Sequence, residues 1–196
     1  MTKRPELLPA NHKHKWDKQV ELDETYKQLV NDLSIGNYAN DNQARILCIL
    51  IIAGRNGSRR HEAVSAYNLF VKNKRVINER NEDKRFVVVD VEKTGWIRTK
   101  QGKKERKKDR RRMHIPLFIP SSLGKYDRSE QNIWNFSAYH YHWNPHSLRY
   151  AVISKLSETE TAQTIAGITG HRTLNIIRDY TNERHANTVL AKFKPA

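Results

Sequence analysis

Residues 144–149 read Asn144-Pro145-His146-Ser147-Leu148-Arg149. Asparagine followed by proline is a helix start, because the asparagine side chain caps a free N–H and the fixed φ of proline suits the first helical position. Leu148, Val152 and Leu156 carry that helix on as an apolar stripe to about residue 156. His146 and Arg149 are three apart and share one side of it, away from the stripe. Both fall in the first turn or two, where free N–H groups and the helix dipole already favour an anion. The pattern suits a phosphate.

Outward from this helix the chain reads as mainly helical. Downstream, Ser157-Glu-Thr-Glu160 fits a capping box for a short helix over Thr161 to Ile168, and Gly170 ends it. Leu174, Ile176 and Ile177 lie in a further helical stretch leading to Tyr180, and the tail carries Val189, Leu190 and Phe193. Upstream, residues 1 to 20 form a loose basic arm. Leu22, Tyr26, Leu29, Val30 and Leu33 then recur at helical spacing, with Gly36 as the stop. Asn40 or Asp41 caps a second helix through Ile46–Ala53, apolar nearly all round and therefore buried and central. Gly54 and Gly57 break it, and a third helix runs from Arg59 to about Asn68. Phe86–Val91 is strand-like, Gly95 marks a turn into Trp96–Thr99, and Met113–Leu117 returns as a strand whose proline favours an edge. The predicted fold class is mainly α with a small antiparallel β-sheet, α+β.

Composition narrows the function. Lys and Arg number 36 against 21 Asp and Glu in 196 residues, a formal net charge of +15. Apolar residues make up 37 %, enough for a core. The longest apolar run, Ile46–Ala53, is far short of the roughly 20 residues that span a bilayer, and the basic start lacks the apolar region of a secretory signal. No membrane partner is expected, and the location is cytoplasmic. The single cysteine, Cys48, excludes a disulfide scaffold or a multi-cysteine zinc site within the chain. From Arg98 to Arg112 stand Arg98, Lys100, Lys103, Lys104, Arg106, Lys107, Lys108, Arg110, Arg111 and Arg112 against Glu105 and Asp109. A block like this repels itself unless something anionic lies against it, and most of it falls at the tip of the hairpin. The charge points to nucleic acid without separating a binder from an enzyme. His140, His142 and His146 have spacing that suits a metal, but no carboxylate or cysteine cluster accompanies them, and Tyr139, Tyr141 and Trp143 between them fit a packed loop. No metal or other cofactor is expected.

Four fragments carry chemistry: Gly57-Ser58-Arg59-Arg60-His61-Glu62, then His146 to Arg149, then Gly170-His171, then Tyr180. In this order and spacing they resemble the tyrosine recombinases, the family of phage-type integrases and chromosome-dimer resolvases. In that family the first arginine opens a helix in G-x-R-x-x-E, the second box is H-x-x-R, a G-H pair follows about twenty residues later, and the nucleophilic tyrosine lies nine residues past its histidine. The resemblance spans roughly Asn40 to Thr181 and implies a domain of this kind over 37–183, with its basic hairpin over about 86–119, an arm and helix over 1–36 and a tail over 184–196. Taken singly, each fragment has a plainer reading: Arg59 as a solvated turn, Glu62 as a structural partner of an arginine or a backbone group, Gly170 as a helix stop, Tyr180 as one of eight tyrosines. The ordered set carries the resemblance.

The resemblance implies a site-specific recombinase that cuts and rejoins double-stranded DNA through a 3′-phosphotyrosine, with no metal or ATP. Arg59 and Arg149 present planar forks to the non-bridging oxygens of the phosphate. Tyr180 is the nucleophile, His146 the base or proton shuttle, and His171 either donates to the phosphate or orients Tyr180. The family's lysine protonates the leaving 5′ oxygen. Lys100 matches the expected strand end, with Lys93 and then Lys103 as the alternatives. Arg98, Lys103, Lys104, Arg106, Lys107, Lys108 and Arg110 bind DNA. Relatives carry a separate amino-terminal DNA-binding domain, for which the residues before Asp41 are too few. The chain is then a catalytic-domain piece, or a one-domain enzyme gripping DNA with its arm and hairpin. Self-association, as a tetramer on DNA, and association with a prokaryotic nucleoid are implied too. A type IB topoisomerase or telomere resolvase shares the same chemistry, and a basic protein that binds DNA without cutting it is the alternative from another class.

Overall fold

The computed structural model describes residues 20–73, 76–77, 85–98, 104–171, 174–175 and 177, with the backbone alone at 76–77, 93–98 and 104–109. At its centre is α2, Asp41–Asn56, in which Ala44 and every residue from Ile46 to Ala53 are buried. Each such leucine or isoleucine contributes about 1.5–3 kcal/mol through burial, so this one helix nucleates the core. The Asn40 side chain accepts from Gln43 N–H at its start. Gly57 closes it in the left-handed conformation, at φ 55°. Against α2 pack α1 (Leu22–Ser34), α3 (Arg60–Val71), α5 (Pro145–Leu156) and the sheet.

The sheet is antiparallel in the order β1 (Val76–Ile77), β2 (Phe86–Arg98), β3 (Lys104–Pro116), so β3 with its terminal proline is an edge strand. The β2–β3 register runs without a bulge from Phe86 opposite Pro116 to Arg98 opposite Lys104. At about 3.3 Å per residue this ribbon is about 40 Å long. Val89, Val91, Met113 and Ile115 bury one face of its base against the helices. The outer edge at its base is closed by Asn56, whose side chain donates to His114 O and accepts from His114 N, both at 2.8 Å.

After a short 3₁₀ turn, Ser121–Leu123, come α4 (Glu130–His140), α5 and α6 (Ala162–Thr169). Asn144 caps α5 by accepting from His146 N at 2.8 Å, with Pro145 in the first turn. Among the described residues no helix is long and apolar enough to cross a membrane.

The observed architecture is the expected α+β fold, with five local corrections. Gly95 is not a turn but a strand residue opposite Lys107. The basic block therefore lies mostly along β3 rather than at a hairpin tip. Gly54 does not break α2; it is helical, and a Cβ there would stand 3.3 Å from the Tyr26 ring, so the glycine admits α1 closely. The cap of α6 is Thr161, whose Oγ1 accepts from Thr164 N, while Ser157 ends α5. Finally, His140 ends a helix, α4, rather than lying in a packed loop.

Candidate active site

The first turns of α3 and α5 and the last carbonyls of α2 and α6 gather round two buried guanidinium groups. Arg149, on the second turn of α5, is 2 % exposed. Its Nη1 donates to Gly57 O at 2.7 Å and Thr169 O at 3.0 Å. Its Nη2 lies 2.9 Å from His171 Nε2. Arg111, on β3, takes the neighbouring carbonyls of the same two helix ends, Asn56 O and Ile168 O. Carbonyls at a helix C-terminus carry unpaired negative partial charge, which suits a cation. The two helix ends thus form a rack for two arginines.

Gly57 makes the rack possible. Its left-handed φ turns the chain sharply out of α2, and a Cβ at that position would stand 2.9 Å from Val152 Cγ1 and 3.1 Å from Thr169 Cγ2. A side chain here would push α5 and α6 away from α2.

The two arginines differ in partners. Arg111 Nη1 is 2.7 Å from Oε2 of Glu62, and both side chains are almost wholly buried. Burial pushes the Arg111 guanidinium down and Glu62 opposes the shift. Arg149 has no carboxylate within ion-pair distance among the described residues. Burial, followed by the repulsion of Arg59, lowers it to about 10, so it is still charged at neutral pH. Among the described residues, its N–H groups meet Gly57 O, Thr169 O and the His171 ring, where Nη2 lies 2.9 Å from Nε2 and 3.3 Å from Nδ1.

Arg59 stands just before α3 with its side chain 41 % exposed. Glu62 is the structural partner of both an arginine and a backbone group: its Oε2 also accepts from Arg59 N at 3.1 Å, while Oε1 lies 3.7 Å from Arg59 Nη1. Glu62 is therefore committed to Arg111 and only loosely paired with the Arg59 guanidinium. Among the described residues, Arg59, Arg111 and Arg149 against Glu62 leave two positive charges uncompensated at this place.

His146 is an exposed residue at the start of α5, its ring edge-on to Tyr150 at 4.7 Å between centroids. Partial burial, then the positive field of Arg149, Arg59 and Arg60, pushes its imidazole down to about 4. At neutral pH it carries a lone pair and accepts protons. His171 follows the left-handed Gly170, and its Nδ1 lies 2.6 Å from Thr169 Oγ1.

Of the residues singled out in the sequence, Arg59, His146, Arg149 and His171 share this place. Lys100, Lys103 and Tyr180 lie outside the described residues. Arg98, Lys104, Arg106, Lys107 and Lys108 lie on the paired strands of the ribbon, as does the alternative lysine Lys93, opposite Asp109. Arg110 is exposed on β3 and pairs with Asp90 at 3.3 Å. Arg111 departs from the expectation that the whole block faces an outside anion: it is buried on Glu62. Its register gave the signal, since it alternates with Met113 and Ile115 on the buried face. Thr169 gave no signal beyond its place before Gly170. Among the described residues, no group of three or more His, Cys, Asp or Glu side chains is placed to hold a metal.

No protein-family model matches the chain. It is 30% identical over 223 residues to an uncharacterized protein of Methanocaldococcus jannaschii, MJ0770, covering 95% of this chain and 92% of that protein. Among solved structures it is similar to the XerH site-specific recombinase. With the pre-cleavage complex on difH substrate the TM-score is 0.50 at 14% identity, covering 88% of this chain and 54% of that one. With the post-cleavage complex on palindromic difH it is 0.53 at 15% identity, covering 93% and 54%. The chain spans about half the length of that recombinase. The likeness shows the fold, that of a tyrosine recombinase catalytic domain.

Proposed function

The chain belongs to the same family as the M. jannaschii protein MJ0770, and from its recombinase fold and its arginine–histidine site we propose that it is a tyrosine-type site-specific recombinase acting on double-stranded DNA. One observation carries the reading: Arg149, buried with no carboxylate in ion-pair distance among the described residues, sits with His171, His146 and Arg59 where those residues leave two surplus positive charges. A phosphodiester brings one negative charge, and a second develops as the phosphorus becomes pentavalent, so the surplus matches the transition state better than the ground state.

In this reading Arg59 and Arg149 hold the non-bridging oxygens. The Tyr180 oxygen attacks phosphorus in line while its proton passes to His146, whose low basicity keeps the imidazole unprotonated at neutral pH. The bond to the 5′ oxygen breaks, and that oxygen takes a proton from Lys100, leaving a 3′-phosphotyrosine and a free 5′ hydroxyl. The new ester retains the energy of the old one, so rejoining needs neither ATP nor a metal. The domain over 37–183 carries the chemistry. The ribbon, with Arg98, Lys103, Lys104, Arg106, Lys107, Lys108 and Arg110, holds the duplex through its phosphates. Tetrameric assembly on DNA and a place beside the nucleoid belong to the same proposal.

The test is covalent trapping on nicked or supercoiled DNA in EDTA, comparing the wild type with Tyr180→Phe. An SDS-stable adduct with the wild type alone is the expected result. Adduct with both proteins assigns the nucleophile elsewhere, and tight salt-sensitive binding without any adduct makes the protein a binder.

A further inference from the structure

Both acids of the basic block fall on one face of the ribbon. Strand alternation sends Lys104, Arg106 and Lys108 to one side of β3 and Glu105, Lys107 and Asp109 to the other. The register with β2 completes the two faces. The first continues the side that Val89, Val91, Met113 and Ile115 bury at the base. It sets Lys93 opposite Asp109, Gly95 opposite Lys107 and Ile97 opposite Glu105, so two cations meet two carboxylates. Lys93 and Asp109 are directly opposed, a favourable pair in an antiparallel ladder. The second face sets Thr94 opposite Lys108, Trp96 opposite Arg106 and Arg98 opposite Lys104. Among the described residues of the ribbon, this stretch of the second face holds four cations and no carboxylate. Arg98 and Lys104 place like charges directly opposite each other, which costs stability unless an anion lies against them. Nearer the base the same face is balanced: Asp90 and Glu92 stand opposite Arg112 and Arg110, and Arg110 pairs with Asp90 at 3.3 Å.

We infer that the outer part of the ribbon is one-sided: the face of Arg98, Lys104, Arg106 and Lys108 lies along the phosphates of double-stranded DNA, and the charge-balanced face of Lys93, Glu105, Lys107 and Asp109 stays off them. The inference rests on the proposed reading for its partner and narrows it, because Lys107 leaves the set that holds the duplex. The row from Lys104 to Lys108 is about 13 Å long, a length over which one strand of a duplex presents about four phosphates. On the other face Lys107 has a carboxylate two positions away on either side, Glu105 and Asp109, and these repel the phosphates that Lys107 would attract. The block is uniformly basic as a sequence and polarised as a strand.

The experiment needs no variant at first: lysine acetylation of the wild-type full chain, with and without a DNA duplex, located by tandem mass spectrometry. Lys104 and Lys108 are expected to lose reactivity several-fold on binding, while Lys107 keeps its own. Equal protection of Lys107 and Lys108, adjacent in sequence and on opposite faces, overturns the inference. Protection by single-stranded RNA and not by the duplex assigns the face to another partner and overturns it too. Fluorescence anisotropy of the duplex over a range of salt gives the second reading. Lys108→Gln is expected to reduce the slope of log affinity against log salt by about one, and the triple exchange Lys104→Gln, Arg106→Gln, Lys108→Gln by about three. Lys107→Gln is expected to leave the slope unchanged, and a slope reduced as much as in Lys108→Gln overturns the one-sided ribbon. The trapping assay separates this inference from the reading it rests on. A wild type that shows the contrast between faces but forms no adduct loses the recombinase reading and keeps the one-sided ribbon; adduct without the contrast does the reverse.

Discussion

Arg111 and Arg149 hang from adjacent carbonyls of the same two helix ends, yet one is closed and the other is open. Arg111 uses Asn56 O and Ile168 O and has Glu62 as its counter-charge. Arg149 uses Gly57 O and Thr169 O and has an imidazole instead. Burying an unpaired charge is expensive, and a fold selected for stability alone has no reason to leave Arg149 without a carboxylate among the described residues. The difference separates two tasks: Arg111 bolts the ribbon to the helices, and in the proposed recombinase reading Arg149 keeps its charge for the phosphate. Glu62 serves both, because its commitment to Arg111 keeps it from neutralising Arg59.

The largest effect follows from opening the closed pair. Glu62→Ala leaves Arg111 buried without its carboxylate and is expected to lower unfolding free energy by about 3–5 kcal/mol in urea denaturation. Arg149→Met relieves a buried charge while losing hydrogen bonds to two carbonyls. It is expected to change stability by less than half as much, while adduct formation falls about 100-fold or more. Equal destabilisation by the two substitutions would make Arg149 a second structural bolt and remove the distinction.

How far this contrast can be read in the sequence depends on the range of the forces behind it. α2 and α5 are legible because caps and apolar stripes act within a few residues: Asn40 on Gln43, Asn144 on His146, Leu148 beside Val152. The ribbon is not. Residues 104–112 hold no β-branched or aromatic side chain, and they are drawn into a strand by their ladder with β2. α4 hides for a similar reason, since Ile133 and Phe136 are its only large buried apolar residues. His146, Arg149 and His171 stand out as an ordered motif, but the contact of Arg149 with Gly57, 92 residues away, exists only once α2 and α5 pack. Glu62 shows the limit best: the sequence places it one helical turn from Arg59, and only the fold gives it Arg111.

Burial, and after it the open arginine, sets the behaviour of His146. Its imidazole is pushed from 6.5 to about 4 by partial burial and by Arg149, Arg59 and Arg60. The unfolded chain therefore takes up this proton at higher pH than the native protein. The sign follows: this group destabilises the fold progressively as pH drops from about 6.5 to 4, and has no effect above that window. Urea midpoints of the wild type should fall over that range more steeply than those of His146→Asn. An NMR titration of His146 in Arg149→Met should show its pKa move back up, while the Glu62→Ala protein should show it lower still. A His146 that titrates normally in the wild type would mean that the surplus charge is already neutralised, and Arg149 would not be open at all.

The smallest effect sharpens the comparison by a single step along β3. Arg110 is next to Arg111 in sequence, but strand alternation puts it on the other face, 76% exposed and 3.3 Å from Asp90. Asp90 is partly buried, but the Arg110 end of the pair is open to water and screened, so Arg110→Ala should change stability by less than about 1 kcal/mol. If the exposed face of the ribbon follows DNA phosphates, the exchange of Asp90 for a phosphate occurs on binding, and loss of Arg110 should reduce the slope of log affinity against log salt by about one. The measurement is fluorescence anisotropy of a duplex over a range of salt. A slope unchanged by Arg110→Ala would mean that Arg110 stays with Asp90 in the complex, and that this part of β3 lies off the DNA. A reduced slope would make two adjacent arginines the boundary between the part of the ribbon that grips DNA and the part that holds the fold.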